Sequence, residues 1–431
     1  MTATAAHATT AARSGRTDVF VDEHLTLADF GAIVVLVAYF TIKFGPFEQF
    51  FFPPGSFSTF VIPAMAISVL VITPGTALRR APISLPFLAL LGWSAMSVAW
   101  TLDEKFTIFL IRSELPALVL VLLVVASMRM HVLVKTLVGY VQVILVWSLF
   151  TSLTRTESRF SYKSDTFEGI LVGWRGTFDH KNGLGMFLVF GLATILAFEH
   201  RRLIRPLSIV GCAAVVIGTR SATAASGLLV LGLTWVWLSA LSVSRTKRDQ
   251  AIFAILSVMI AGLAVFLTLG LLPSFLVLYG KDLTFSGRTI IWSNTLHAIS
   301  QRPLLGIGFI SNWSSAPIPL ITQLRRDIGF EAAHAHNGAI EVMFELGIIG
   351  LGLYLVFFLS VLRQGVRALS TATPYGQWVL ATCAALGIMS VSEVLFQGTF
   401  LGYLGVMWVA VTRADRSARE SAGGVGVTTR I

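Results

Sequence analysis

Residues 338–362 read GAIEVMFELGIIGLGLYLVFFLSVL, twenty-five positions of which only Glu341 and Glu345 are charged. A helix needs about 20 consecutive apolar residues to cross roughly 30 Å of hydrocarbon, so this stretch is long enough to span a bilayer. The rest of the chain repeats the pattern. Further apolar runs stand at about 27–44, 57–72, 83–100, 115–126, 132–149, 184–198, 203–217, 222–241, 251–272, 378–394 and 400–411, which makes twelve expected spans and puts both termini on one side. Composition agrees: 55% of the 431 residues are hydrophobic, 31 are Phe and only 13% are charged, about half the charged share of an ordinary soluble domain. A soluble globular enzyme is excluded. The expected fold class is all-α, a polytopic integral membrane protein of about 12 transmembrane helices, with a long outer loop that contains an amphipathic helix.

The net charge of +10 would suggest nucleic acid in a soluble protein; in a membrane protein it asks which side carries it. Alternate connections hold 18 of the 32 bases and 8 of the 22 acids, so one face carries the whole excess and the other nets zero. The positive-inside bias makes the basic face cytoplasmic. The expected order is a cytoplasmic tail at 1–25, spans one to nine over 26–272 with an outer loop near 150–183, a long outer loop at 273–337, spans ten to twelve over 338–412, and a second cytoplasmic tail at 413–431. The first tail is small and polar without an apolar core, so it reads as a flexible extension and not a cleaved signal peptide, and targeting falls to the first span. The cytoplasmic connections are too short for a nucleotide-binding domain, and no GxxxxGK[ST] occurs, so ATP is not the energy source. Neither a repeat of 20–50 residues nor matched halves with broken helices are visible, which counts against an inverted-repeat transporter. Cys212 and Cys383 both lie in apolar runs, so neither a disulfide framework nor a thiolate metal site is expected.

Three polar stretches are hard to reconcile with a plain membrane rim. WRGTFDHKNGLG (174–185) packs Arg175, Asp179, His180, Lys181 and Asn182 between glycines at the entrance to the sixth span. A lone base there would simply snorkel to the interface, but a helix starting at the outer face also points its amides and positive dipole end outward, so Arg175 and Lys181 would complete an anion site. GTRSATAASG (218–227) places Arg220 at an otherwise uncharged outer hairpin, with Ser221 and Thr223 beside it. Charge at membrane depth costs roughly 2.5–3.5 kcal/mol at the centre; the bland alternative is that Arg220 caps the seventh span and reaches outward.

The third stretch joins FSGRTIIWSNTLHAISQRPLLGIGF (285–309) to EAAHAHNGAIEVMFELGIIGLGLYL (331–355). Its first part reads as an amphipathic helix with Ile290, Ile291, Thr295, Leu296 and Ile299 at helical spacing, suited to the bilayer surface, and with Arg288 at its start. QRPLLGIGF has the Pro and Gly for an irregular backbone. His334, His336 and Asn337 then stand at the mouth of span ten, where Asn337, Glu341 and Glu345 share one stripe that cannot face lipid. Gly347, Gly350 and Gly352 would let a neighbouring helix come close. HxHN with downstream acids invites a metal, but two histidines at i, i+2 are not the pair of a metalloprotease helix and no HExxH occurs. An interfacial hydrogen-bonder is the ordinary role of one such histidine. With arginines from other connections on the same face, a general base is the better reading, because neutral imidazole accepts a hydroxyl proton.

Outward cations, a histidine base and a hydrophobic bundle together suit an anionic substrate that is partly lipid. A sugar-bearing polyprenyl pyrophosphate meets all three conditions: arginines bind its oxygens bidentately and stabilise the leaving group without a metal, and His336 takes the proton of an acceptor sugar hydroxyl. Glu341 would orient the acceptor or the imidazole.

At these residues the chain resembles the O-antigen ligase and polymerase superfamily of bacterial inner-membrane glycosyltransferases. The blocks RGTFDHKNGLG, SGRTIIW…RPLLGIGF and AHNGAIEVMFELGIIGL carry the resemblance over roughly 173–355. It implies periplasmic chemistry on a polyprenyl-pyrophosphate-linked oligosaccharide, an acceptor glycan, no nucleotide sugar, no cofactor and no metal. It implies Arg175 and Arg288 as pyrophosphate binders and His336 as the base, with Arg220 a further counterpart. His180, Lys181, Asn182, His334, Asn337 and Glu341 are the remaining expected substrate-binding residues; His336 is preferred to His334 as base because it abuts Asn337. The HKN form of the first block is closest to the exopolysaccharide production protein Q type, a polymerase. The partners so implied are membrane lipid and other polysaccharide export or assembly proteins, with no nucleic acid. The rivals are a ligase passing a finished chain to lipid A-core or another acceptor, a transporter or flippase for the lipid-linked oligosaccharide, and a non-catalytic scaffold.

Overall fold

The computed structural model describes residues 24–44, 60–73, 84–155, 160–161, 171–178, 180–243, 287–309, 313, 318–329, 332–395 and 398–424, with Gly75, Pro82 and Arg248. Among these residues the helices are α1 (Leu27–Phe44), α2 (Ile62–Ile72), α3 (Leu85–Met96), α4 (Glu104–Ser127), α5 (Met130–Thr154), α6 (Lys181–Phe198), α7 (Ile204–Gly218), α8 (Ala222–Val243), α9 (Arg288–Gln301), α10 (Pro319–Ile328), α11 (Gly338–Thr371), α12 (Thr373–Met389) and α13 (Gly398–Gly424). The all-helical expectation holds but for one antiparallel pair in the loop near 150–183, β1 (Phe160–Ser161) with β2 (Leu171–Val172). The ninth expected span, 251–272, lies outside the described residues, as does Asp179.

Among the described residues five helices are long and apolar enough to cross a membrane: α4, α5, α6, α11 and α8 over Ala222–Ser242. α1, α2, α3 and α7 are shorter apolar helices. The chain is a multi-pass membrane protein. Hydrogen bonding closed within each helix is what lets such segments sit in hydrocarbon. On α5 one side is buried through Val141, Ile144, Leu145 and Ser148 while Val143, Val146 and Phe150 stay exposed, as a bilayer-facing helix requires. Inside the bundle Trp378 Nε1 donates to Thr194 Oγ1 at 3.1 Å, and the Thr194 and Tyr403 hydroxyls pair at 3.0 Å, tying α6, α12 and α13 with polar bonds where burial alone gives little drive.

Two expected boundaries are corrected. The fourth span is not a short run at 115–126: Asp103 caps the helix by accepting from Phe106 N at 3.0 Å, so α4 starts at Glu104 and carries the polar residues ahead of the apolar run. The eleventh does not reach Val394. Its helix ends at Met389, and Ser390, Val391 and Ser392 close back as tight turns onto Leu386, Ile388 and Met389.

α9 and α10 form a second, smaller apolar core with Ile307 and Trp313 over the mouth of α11. The α9 residues turned inward are Ile291, Thr295, Ala298 and Ile299; Ile290 and Leu296 are exposed. The stripe expected on the bilayer surface is therefore spent on α10 and α11, which supply the apolar partner.

α11 is broken at Gly347, whose φ of 67° and ψ of −175° belong to a region that only glycine enters readily. The break is filled by the irregular 303–309 segment. Ile307 N donates to Phe344 O (3.0 Å), Gly308 N to Glu345 O (2.9 Å) and Ile348 N to Pro303 O (2.9 Å), and Trp93 Nε1 donates to Leu346 O (3.0 Å). These bonds satisfy the backbone groups the break releases. A Cβ on Gly347 would run into the Leu304 carbonyl, whereas one on Gly352 would meet nothing. What approaches α11 closely at Gly347 is thus this loop and not a neighbouring helix, because the loop needs the broken backbone's hydrogen bonds.

Candidate functional site

The turn Ser390–Glu393, which follows α12, gathers the three polar stretches. Ser390 O accepts from Gly338 N (2.8 Å) and Val391 O from Asn337 Nδ2 (3.1 Å), while the Ser392 hydroxyl pairs with that of Thr223 on α8 (2.7 Å). Glu393, with a side chain 9% exposed, then reaches three elements. Its Oε1 accepts from Asn182 Nδ2 of α6 at 2.6 Å and pairs with Arg288 Nη2 of α9 at 3.1 Å, and its Oε2 lies 3.6 Å from His336 Nδ1 ahead of α11.

Each of those helices meets Glu393 with its first residues. Asn182 is the second residue of α6 and Arg288 the first of α9; His336 precedes Asn337, the cap of α11, whose Oδ1 accepts from Ile340 N at 3.0 Å. Three N-termini, each bringing the positive end of a helix dipole, converge on one carboxylate. Burial pushes the Glu393 carboxyl upward, but His336 and Arg288 beside it prevail and hold it below the ordinary carboxylate value.

The histidines differ in what their nitrogens do. His334 Nδ1 accepts from His336 N (3.2 Å) and His180 Nδ1 from Asn182 N (3.2 Å), so in each neutral ring the proton sits on Nε2. Burial, then the neighbouring His336, lowers His334 to about 4, which keeps it neutral near pH 7. His336 Nδ1 is buried without a hydrogen-bond partner among the described residues, and at 3.6 Å it is too far from Glu393 Oε2 for a formed bond. Its backbone sits at φ 50°; among the described residues the other non-glycine with positive φ is Arg220, also at 50°. Left-handed backbone on non-glycine residues is uncommon and concentrates at functional sites.

Glu341 is buried, with Oε1 accepting from Trp313 Nε1 (3.1 Å) and Oε2 from Ala335 N (2.6 Å), so it grips the backbone between His334 and His336. The Arg175 loop docks on the hairpin of Arg220 through Trp174 N to Gly218 O (2.9 Å), and Arg175 Nη1 bonds Phe178 O (3.4 Å). Arg220 itself is exposed and Lys181 half-buried. The structure thus brings His180, Asn182, Arg288, His334, His336 and Asn337 around Glu393, while the segments of Arg175 and Arg220 are joined to one another on the adjoining hairpin.

Ligating atoms of His334, His336 and Glu393 lie within 4.8 Å of one another, a spacing one cation could bridge. The donor set fits poorly: His334 Nδ1 is committed, so its Nε2 carries hydrogen, and Arg288 already neutralises Glu393. Sequence reasoning missed Glu393 and the turn that holds it, having placed both inside a span. The signal was there, an acid within an apolar run, and the cost of membrane-depth charge that singled out Arg220 applies equally to it.

Residues 206–355 match the family described as O-antigen ligase. Over that segment the chain resembles O-antigen ligases, and over most of its length it resembles ExoQ. Its similarity to the exopolysaccharide production protein ExoQ of Rhizobium meliloti (strain 1021) is 24% identity, covering 76% of this chain and 77% of that protein. The O-antigen ligase-like segment runs from α7 to the middle of α11, so it contains Arg220, Arg288, His334, His336, Asn337 and Glu341, while His180, Asn182 and Glu393 are brought to it by the fold.

Proposed function

We propose that this ExoQ-like chain is an inner-membrane glycosyltransferase that polymerises polyprenyl-pyrophosphate-linked oligosaccharide units at the periplasmic face, without a metal, in exopolysaccharide or O-antigen synthesis. The observation that carries the reading is the meeting of three helix N-termini with Arg288 and His336 around Glu393. Such a cradle suits a diphosphate, whose charge is met by a guanidinium and by the positive ends of helix dipoles together. Arg288 holds the diphosphate from the Glu393 side and Arg175 and Arg220 from the adjoining hairpin, with Lys181 near. His336 accepts the proton of the acceptor hydroxyl, whose oxygen bonds to the anomeric carbon as the C–O bond to the diphosphate breaks and the lipid diphosphate leaves with the electron pair. His180, Asn182, His334 and Asn337 line the place of the acceptor and Glu341 fixes the loop that carries the base. The expected twelve spans with both termini cytoplasmic put this end of the helices outside.

Purified protein given a polyprenyl-pyrophosphate repeat unit, with a chelator and no nucleotide, is the test. A ladder of growing glycans is expected. A single size shift of a second acceptor would make it a ligase, and an unchanged glycan whose lipid-linked form changes leaflet would make it a flippase.

A further inference from the structure

Glu393 divides its two oxygens between the base and a phosphate-binding cation, and this carries an inference resting on the reaction just proposed. In the structure Oε1 is held by Arg288 and Asn182, and Oε2 stands opposite the buried His336 Nδ1, which has no hydrogen-bond partner among the described residues. The charged and titratable groups facing His336 are Glu393 after α12, Arg288 of α9, His180 ahead of α6 and His334 on its own segment; the charge of Lys181 acts on His180. Of these only Glu393 is an anion, and Arg288 shares it. An incoming diphosphate is a stronger anion than a carboxylate and competes for the same guanidinium.

We propose that Glu393 is a positioning residue that couples donor binding to the base: when the diphosphate draws Arg288 away, the released carboxylate closes onto His336 Nδ1–H, fixes the tautomer with Nε2 unprotonated, and strengthens Nε2 as acceptor of the hydroxyl proton. The imidazolium formed in the reaction is then balanced by Glu393, as a buried carboxylate does for a catalytic imidazole elsewhere. An unloaded enzyme keeps its base weak, and donor binding readies it.

The experiment compares wild type, Glu393→Gln and Glu393→Asp in two ways. In turnover, Gln should lower kcat about a hundredfold with little change in KM, and Asp should recover part of the loss. In wild type the acidic limb of kcat, which reports the loaded enzyme, should stand at higher pH than that of kcat/KM; in the Gln variant that difference should shrink. Separately, 15N-histidine spectra of the full-length protein in detergent should show inorganic pyrophosphate raising the titration midpoint of His336 in wild type, and less so in the Gln variant, with His336→Asn assigning the signal. Equal kcat and equal midpoint shifts in wild type and Gln variant would overturn the inference. If wild type makes no product, the proposed reaction fails, and the pyrophosphate titration still decides whether Glu393 links anion to imidazole.

Discussion

At one end of α6 Asn182 reaches Glu393; at the other, about 27 Å away at 1.5 Å per residue, Glu199 closes the helix. Glu199 is saturated: it accepts from Arg201 N and Nε, each at 2.9 Å, and from Gln142 Nε2 at 2.7 Å. The far end of α11 is alike, where Asp415 takes Gln364 Nε2 (3.1 Å), Thr371 Oγ1 (2.5 Å) and Arg419 Nε (3.0 Å). Asp29 likewise meets Arg129 and Thr26. Those carboxylates are braces whose oxygens are all spoken for. Glu393 is shared among groups from three helices, and one of its contacts stands too long to be a hydrogen bond. A carboxylate completed by its neighbours holds a shape, while one left incomplete can change partner.

The widest test of that contrast removes the imidazole proposed as the base. His336→Asn, which tolerates left-handed backbone, should cut polymerisation about a thousandfold in the lipid-linked assay while the melting temperature in detergent stays near wild type. Next is Gly347→Ala. The new Cβ meets the Leu304 carbonyl at a backbone angle closed to alanine, so stability should fall by about 3 kcal/mol, read as a lowered melting temperature with the 303–309 segment newly open to protease. Arg201→Gln should show the brace alone: roughly 1 kcal/mol of stability lost, since Arg201 is largely exposed and water screens the pair, with kcat per folded molecule unchanged. Arg201 holds Glu199 at about 2, against an ordinary 4.5. A depressed carboxylate contributes stability that is present above its unfolded value and lost as pH falls through the folded one. Wild type should therefore lose this part between about pH 4.5 and 2, and the variant should show a flatter acid limb in a thermal-melt series. Smallest is Gly352→Ala, with open space at its Cβ, expected within about 0.5 kcal/mol of wild type; a large effect there would restore a close helix partner at that glycine.

Hydrophobic runs and length made the helical membrane class legible, because a span must be apolar for about 20 residues whatever packs against it. Arg288, His334, His336 and Asn337 were legible as residues too polar for their surroundings, as were His180 and Asn182 beside the sixth span. What sequence could not show was the hub. Glu393 is 57 residues from His336 and 211 from Asn182, and such a distance is closed only by tertiary packing. The inward side of α9 was half read for a related reason: Ile290 and Ile291 are adjacent in sequence, and only the presence of α10 and α11 decides which one turns in.

The Ser390–Glu393 turn fixes, in four consecutive positions, the mutual coordinates of groups belonging to α6, α8, α9 and α11. It serves as the datum from which the rest of the constellation is measured. Its length is consequently the least negotiable dimension of the molecule: adding or deleting one residue there would misregister every group at once, whereas the same change at the exposed end of α13 would move none of them.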